Sequence, residues 1–517
     1  MRIATPLLAA LLVACAPTAE QTGTTAAPPA QRVAAGTLQT LPDAAPVSAQ
    51  EYTARRRALL DSIGDGVLVV FGAPSPAADY LPFAQLADFR YLTGIMEPSA
   101  AWVAVKRGAR VQEHLFVLDR DPAREVWEGA RLGPDGAQTR TGVPAQSASR
   151  FGAVLDSLVS TTSVLYTTLA PPLDQSLTAD HTHAQQVLAR IRDRNTKLEI
   201  KTIQNLIRQQ RGLKSAAELD RIRRAVQISA LAHREAMRST EPGMNEFEIR
   251  ALMEYMFRRN GAEGPAYGSI VGSGQNSTTL HYQASDRFME SGDVLLIDAA
   301  ASYGGYAADV TRTFPVNGTF TADQRAIYEI VLAAQKAAAA RIRPGATWRE
   351  LSEAANSEIR TGLTRLGLID GPDATYEIAA GRSRPQMALF YMHGLGHGVG
   401  LAVHDPDISQ TQQGFGPGSA VTIEPGIYVR GDAFDYLPDT PGNRAMIQRL
   451  RPALERYRSI GVRIEDVFIF AENGVEHVSA AAPREIEEIE ALMRDPGLDD
   501  ASRRGDIVEW FRASRGR

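Results

Sequence analysis

The chain has one cysteine in 517 residues, so it contains no internal disulfide. No apolar stretch approaches the ~20 residues that a membrane-spanning helix needs. No basic run stands out and the net charge is −5, which argues against a nucleic-acid binder. No internal repeat is present. What remains is ordinary globular composition, 44% hydrophobic and 22% charged, on a length that allows two or three domains.

The lone cysteine is informative by its position. The chain starts MRIATPLLAALLVACAP: one Arg, a short apolar segment, then Leu12-Val13-Ala14-Cys15. That is the form of a secretory signal. LVAC resembles a bacterial lipoprotein signal, which implies cleavage after residue 14 and a lipid on Cys15; a plain signal peptide is the alternative. Residues 15–50 are rich in Ala, Thr, Pro and Gln and read as a flexible tether. Ala16 lacks the Asp that often retains lipoproteins at the inner membrane. The resemblance therefore implies an exported protein on the periplasmic side of the outer membrane, attached only through its lipid.

Residues 51–205 mix strand-like runs (66–74, 100–106, 114–120) with helical patterns, notably around HAQQVLARIRDR. This reads as an α/β domain without a catalytic cluster. From 206 to 492, helix starts are well marked. Ser215-Ala-Ala-Glu218, Asn245-Glu-Phe-Glu248, Thr321-Ala-Asp-Gln324 and Thr347-Trp-Arg-Glu350 each have capping-box form. Strand-like runs lie at 294–299, 306–314, 420–429 and 462–470. Helices grouped against an antiparallel sheet make an α+β domain. Residues 493–517 read as a charged tail.

Within that domain LIDAAASYGGYAADVTRTFP carries one acid on each arm, Asp298 and Asp309. A turn centred between Tyr303 and Gly304 makes them direct cross-strand partners, with Cβ atoms ~5 Å apart. Two such carboxylates repel unless a proton or a cation sits between them. A register shifted by one or two residues, with one acid in solvent, is the alternative.

Of nine histidines, four (His281, His393, His397 and His404) fall in the same domain. The stretch MHGLGHGVGL is too glycine-rich for a helix interior, so it reads as looped backbone bringing His397 inward. Taken alone, such a histidine is more often a packed or surface residue. Glu424 ends a strand run before Pro425. Arg463 and Glu465 alternate onto one face, where a plain salt bridge is also possible. Together Asp298, Asp309, His397, Glu424 and Glu465 form an oxygen-rich set. Four converging carboxylates need about two divalent cations to neutralise them. Such a set suits manganese or a similar hard ion better than a zinc site built of Cys and His; cobalt, zinc and iron remain alternatives.

The motifs LIDAA…GYAADVTRTF, MHGLGHGVGL…VHD, TIEPGIY and GVRIED resemble the pita-bread metallopeptidases, specifically the aminopeptidase P family. PFAQLADFRYLTGIMEPSAAWV and RDPAREVWEGARLG resemble that family's creatinase-type N-terminal domain. The resemblance spans about 51–492 and implies an enzyme that releases the residue before proline from peptides. It implies that Asp309 and Glu465 bridge two metals, Asp298 completes one shell, and His397 and Glu424 complete the other. Glu424 is the implied base. His281, His393 and His404 are implied to line the substrate site, with Arg463 supporting Glu465 and Tyr428 beside it. A homo-oligomer, dimer or tetramer, is implied as well. An Xaa-Pro dipeptidase is the alternative activity, and a non-catalytic peptide-binding protein of the same fold a further one. Ala300 and Val467 depart from the family pattern. The stretch DAFDYLPDTPGNRAMIQRLRPALERY looks inserted between Glu424 and Glu465 and is expected to form a lobe at the rim of the site.

Overall fold

Gly66–Phe71 (β1, GVLVVF) is buried at every position. Leu68 and Val70 enter one apolar core, and Val67, Val69 and Phe71 enter another. A strand covered on both faces has no need to alternate, which is why its sequence is an unbroken apolar run. The computed structural model describes residues 46–78, 80–169, 182–407 and 414–498. The expected signal, Cys15, most of the tether and most of the charged tail lie outside the described residues.

β1 lies inside a six-stranded sheet with β2 (Ala101–Arg107), β3 (Arg110–Val117), β4 (Ala145–Ser147), β5 (Val164–Thr167) and β6 (Glu199–Thr202). The strand order is β4-β3-β2-β1-β5-β6. Helices Ala49–Asp61 and Gln204–Gly212 contribute to one covering core. Helices Phe151–Val159 and His183–Arg194 contribute to the other.

The second core gathers around residues 228–492. Helices Ala216–Ser239, Glu246–Arg259 and Ala322–Ala339 start with complete capping boxes at Ser215, Asn245 and Thr321. At Trp348–Arg365 only half of the box forms, Thr347 accepting from the Glu350 amide. The strands are β7 (Gly264–Pro265), β8 (Ile270–Ser273), β9 (Val294–Asp298), β10 (Ala301–Tyr303), β11 (Tyr306–Ala307), β12 (Thr311–Pro315), β13 (Thr375–Ala379), β14 (Arg382–Pro385), β15 (Ala420–Ile423), β16 (Gly426–Val429), β17 (Ile460–Arg463), β18 (Asp466–Ala471) and β19 (Gly474–His477).

Three of the expected strand runs are interrupted, and each break holds a candidate site residue. Asp309 lies between β11 and β12, Glu424 between β15 and β16, and Glu465 between β17 and β18. Ile423 faces Asp466 and Gly426 faces Arg463, so the register carries across the break and sets Glu424 opposite Glu465. A local break in a ladder re-aims side chains that a regular pleat would hold perpendicular to the sheet.

The hairpin register differs from the expectation. The turn is Gly304-Gly305, both with positive φ, and Tyr303 pairs with Tyr306. Asp298 therefore faces Thr311, two residues from the expected partner, and Asp309 lies diagonally from it. A two-residue turn with both φ values positive fits hairpin twist, which places the loop on the two glycines. The shift does not expose either acid: Asp298 is 8% and Asp309 4% accessible.

The inserted stretch is packed onto the main core. It contains helix Pro441–Tyr457, which buries Met446, Leu450, Leu454 and Tyr457 in the main core. Asn443 ties it to β13 through the Glu377 amide and carbonyl. The departures are also packed: Ala300 and Val467 are both fully buried in an apolar cluster.

Gly461 on β17 faces Tyr428 on β16. A Cβ there would lie 2.1 Å from the Ser277 carbonyl oxygen, a backbone atom that cannot swing aside. Gly461→Ala is expected to cost about 1–3 kcal/mol, as overpacking does. The check is a lower urea midpoint than that of the parent chain.

Candidate active site

Each acid reaches the cluster from a different piece of chain, and backbone contacts fix the pieces to one another. Thr422 of β15 accepts the His397 amide on its hydroxyl (3.2 Å) and donates its own amide to the His397 carbonyl (2.9 Å). The Glu424 amide donates to Leu395 (2.8 Å). The histidine loop thus lies flat on β15. Gly396 permits this, because a Cβ there would lie 2.2 Å from the Thr422 carbonyl oxygen. The loop is irregular backbone, as its glycines require.

One oxygen each of Asp309 and Glu465 and a ring nitrogen of His397 lie within 4.8 Å of one another. His397 Nε2 is 3.4 Å from Asp309 Oδ2, 3.4 Å from Glu424 Oε1 and 4.0 Å from Glu465 Oε1. Its Nδ1 is 3.0 Å from the Gly398 carbonyl oxygen, which only accepts, so Nδ1 carries a proton and Nε2 is the atom facing the acids.

Asp298 joins through Tyr267, a residue the sequence reading did not single out. The Tyr267 hydroxyl is 2.6 Å from Asp298 Oδ1 and 2.6 Å from Asp309 Oδ1. A phenol has one proton to donate. One of these two close oxygen pairs is therefore left without one, which is a strained arrangement unless a positive charge enters. Glu465 Oε1 is buried without a hydrogen-bond partner, and Glu465 is only 1% accessible. An orphaned buried carboxylate oxygen, two carboxylates competing for one phenol proton and an inward-facing imidazole nitrogen all fit divalent cations.

Arg463 has a direct partner beyond the expected one: its Nη2 donates to Asp298 Oδ2 (2.6 Å). It acts on Glu465 through its charge and through Thr311: Nε donates to the Thr311 hydroxyl (3.2 Å), which donates to Glu465 Oε2 (2.7 Å). Arg463 Nη1 donates to Tyr428 (2.8 Å), whose hydroxyl lies 2.8 Å from His393 Nε2. His393 Nδ1 faces the Gly394 carbonyl oxygen at 2.8 Å, so Nε2 is the acceptor from Tyr428.

The outer histidines frame this cluster. The His404 ring centre is 4.2 Å from that of His397. His281 is exposed, and its charge is felt at both His393 and His404. His233, also missed by the sequence reading, is fully buried, with Nε2 3.1 Å from the Ala299 and 3.0 Å from the Val310 carbonyl oxygens. It ties the two arms together beside both aspartates. Tyr267 lay in the motif GPAYGSI, where an aromatic hydroxyl was the only available signal; His233 carried none beyond its type.

Charge follows this geometry. Burial pushes Glu424 up to about 7, opposed by His397 and Arg463 and aided by the neighbouring aspartates. Burial, then the charges of Asp309 and Glu424, hold Glu465 well above the usual carboxylate range. Burial and then the charge of Asp298 raise Asp309. Burial would raise Asp298 too, but Arg463 and Tyr267 outweigh it and hold its carboxyl low. Burial brings His393 down to about 4, so this ring is neutral. Burial lowers His397, but its contact with Asp309 and the charge of Glu424 override that and lift it to about 9.

In the cation-free protein both raised groups act in one direction. Glu424, raised from 4.5 to about 7, adds stability that is present below pH 4.5 and is lost as pH rises to 7. His397, raised from 6.5 to about 9, adds stability that is present below pH 6.5 and is lost as pH rises to 9. His393, lowered from 6.5 to about 4, adds stability as pH rises to 6.5 and opposes them at the acid end. The melting temperature of the stripped protein is expected to fall from about pH 6.5 to 9, and saturating divalent cation to flatten that fall. Calorimetric melting at several pH values checks this; a stripped protein that grows more stable across the window contradicts it.

Comparison with known proteins agrees with this geometry. Residues 52–166 match the family model "Aminopeptidase P, N-terminal domain", and residues 220–472 match "Metallopeptidase family M24". The chain is 36% identical to Xaa-Pro aminopeptidase of Escherichia coli (strain K12) over 468 residues, covering 86% of this chain and 98% of that protein. Human Xaa-Pro dipeptidase is also 36% identical, but over 313 residues, covering 56% of this chain and 61% of that protein. The solved structure of aminopeptidase P from E. coli with the inhibitor Pro-Leu aligns with a TM-score of 0.72 at 36% identity, covering 87% of this chain and 99% of that one. A relative matched nearly end to end at this identity settles kinship: the chain belongs to metallopeptidase family M24, in the branch that carries the aminopeptidase P N-terminal domain.

Proposed function

We propose that the protein is an Xaa-Pro aminopeptidase, a metallo-exopeptidase that releases the first residue of peptides with proline second. The observation that carries this is the convergence of Asp298 at a strand end, Asp309, Glu424 and Glu465 in three strand breaks and His397 in one loop, with Glu465 Oε1 unsatisfied. Asp309 and Glu465 would bridge two divalent ions. Asp298 would complete one shell, and His397 with Glu424 the other. The oxygen-rich set favours manganese, with cobalt, zinc and iron as alternatives. When bound, such ions supply a nucleophilic water near neutral pH and polarise the scissile carbonyl.

The chain's own residues account for the rest. Glu424, whose Oε1 lies 3.4 Å from His397 Nε2, is placed to take a proton and return it to the proline nitrogen as the bond breaks. His404, beside the His397 ring, is placed to donate to the developing oxyanion. The neutral His393 ring is held by the Tyr428 hydroxyl, and its Nδ1 lies 3.7 Å from Glu424 Oε2. That fixes an imidazole edge at the base without adding charge. His281 marks the outer side of the substrate site. Proline's nitrogen has no N–H, so selectivity rests on the shape of the pocket around the ring rather than on a donated hydrogen bond. Longer peptides are favoured over dipeptides alone because the aminopeptidase relative matches over 86% of this chain and the dipeptidase over 56% of it.

Purified protein reloaded with Mn²⁺ is expected to release the first residue from Xaa-Pro-Pro-Xaa. Glu424→Gln is expected to lose roughly 10²–10⁴-fold in kcat, the range of a general base. Cleavage of an Xaa-Pro dipeptide alone would make the protein a dipeptidase. No turnover of either with metal bound would end the peptidase reading.

Export and anchoring are likewise proposed, from MRIATPLLAALLVAC alone. The chain would sit on the periplasmic side of the outer membrane, held by a lipid on Cys15, and work as a homo-oligomer. Labelled palmitate is expected to enter the full-length chain in bacterial cells and not its Cys15→Ser variant. An unlabelled parent chain would remove the anchor.

A further inference from the structure

Arg312 and Asp466 are a fully buried ion pair, 2.6 Å apart, just behind the acid cluster. Such a pair does not explain itself by stability, because desolvating two charges costs about as much as their attraction returns. Where the guanidinium's donors go is more informative. Arg312 Nη1 donates to the main-chain carbonyl oxygens of Glu465 (2.6 Å) and Thr311 (2.9 Å). Its Nη2 donates to Asp466 Oδ1 (2.6 Å) and the Ala482 carbonyl (2.8 Å). Asp466 is itself fixed at both oxygens, by Ser479 (2.7 Å) on one and by Gln335 (2.7 Å) and Arg484 (2.6 Å) on the other.

Glu465 has few other holds. It sits in the break between β17 and β18, outside both strands. Its amide donates to the Thr311 carbonyl (3.1 Å) and its Oε2 accepts from the Thr311 hydroxyl (2.7 Å). Its Oε1 has no hydrogen-bond partner. Both of these holds belong to Thr311, the residue whose carbonyl Arg312 also grips. Strand alternation turns the Thr311 hydroxyl toward the cluster and Arg312 away from it, so one residue of β12 holds Glu465 from the front and the next holds it from behind. A flat, multi-pronged guanidinium serves a carboxylate and three carbonyls at once; an ammonium does not.

We propose that Arg312, anchored by Asp466, is a positioning residue: it fixes the backbone of Glu465 and Thr311 so that the Glu465 carboxylate is presented for bridging divalent ions. Arg312 touches neither substrate nor ion and acts only through Glu465. This inference rests on the two-ion reading of the site.

The test is Arg312→Lys, which keeps the charge against Asp466 and removes the fork. Stripped protein is titrated with Mn²⁺ by calorimetry, with circular dichroism and melting of the stripped form recorded alongside. Arg312→Lys is expected to fold and to bind one ion roughly 10–100-fold more weakly, the range seen when groups supporting a metal ligand are changed. The electron paramagnetic resonance signal of a coupled Mn²⁺ pair is expected to fade in step. In peptide hydrolysis kcat should drop while KM stays close to the parent value. If Arg312→Lys does not fold, Asp466→Asn, which keeps the shape of the anchor, takes the same measurements with the same expectation. A folded variant that binds both ions with parent affinity, whatever its melting temperature, overturns the inference. A parent chain that binds no Mn²⁺ overturns the two-ion reading instead.

Discussion

Four carboxylates and one imidazole are linked in one cluster by short contacts, mostly out of water, and the surrounding structure is organised by their repulsion. Desolvation alone disfavours each charge, and proximity adds to it. Glu465 and Asp309 show both effects. A hydrophobic core would shed such residues. Here they are held in place by backbone breaks, a phenol shared between Asp298 and Asp309, and a guanidinium on Asp298. The site is therefore prepared at some cost in stability for a positive charge that lowers the energy of the whole group.

Regular secondary structure could not have made this arrangement. In an unbroken sheet Glu424 and Glu465 would stand parallel on one face, at the spacing of neighbouring strands. Breaking both strands at the same level lets the two side chains converge with the histidine loop that lies on β15. Around the acids, Arg463 donates to Asp298, Tyr428 and Thr311. One path runs to Asp298, another through Tyr428 to the neutral His393 ring. The same cation thus settles the charge of one acid and the tautomer of a ring beside the base.

The hairpin carrying both aspartates is also gripped at its tip. Arg90, from the N-terminal sheet region, donates to the Gly304 carbonyl (2.6 Å), and Tyr306 donates to Glu218, which pairs with Arg55 at 3.0 Å. Gly305 leaves room for the Arg90 guanidinium, which a side chain there would displace. Next to both aspartates, His233 bonds the carbonyls of Ala299 and Val310 on the two arms. The hairpin carrying Asp298 and Asp309 is thus held at its tip and again beside the two acids.

The sequence alone determined the donor set, the helix starts and the family. Capping boxes at Ser215, Asn245 and Thr321 are local chemistry, readable because their partners lie three residues apart. Asp298, Asp309, His397, Glu424 and Glu465 were legible as a candidate set because they fall in motifs that resemble the family's; taken singly, each also allowed a plain structural reading. Tertiary structure alone decided what each of them touches. The hairpin register turned on whether the loop centred on Tyr303-Gly304 or Gly304-Gly305, which differ by one residue in sequence but shift the pairing by two. Arg463 was assigned to Glu465 because they alternate onto one face, yet side-chain reach across strands gives it a direct bond to Asp298. The inserted stretch looked like surface until its helix buried Met446, Leu450 and Leu454. Tyr267, His233 and Arg312 act through contacts with residues distant in the chain, and no spacing in a linear sequence records those. Residue type states which chemistry is available; only packing fixes distances, and at an acid cluster distances decide which charges survive.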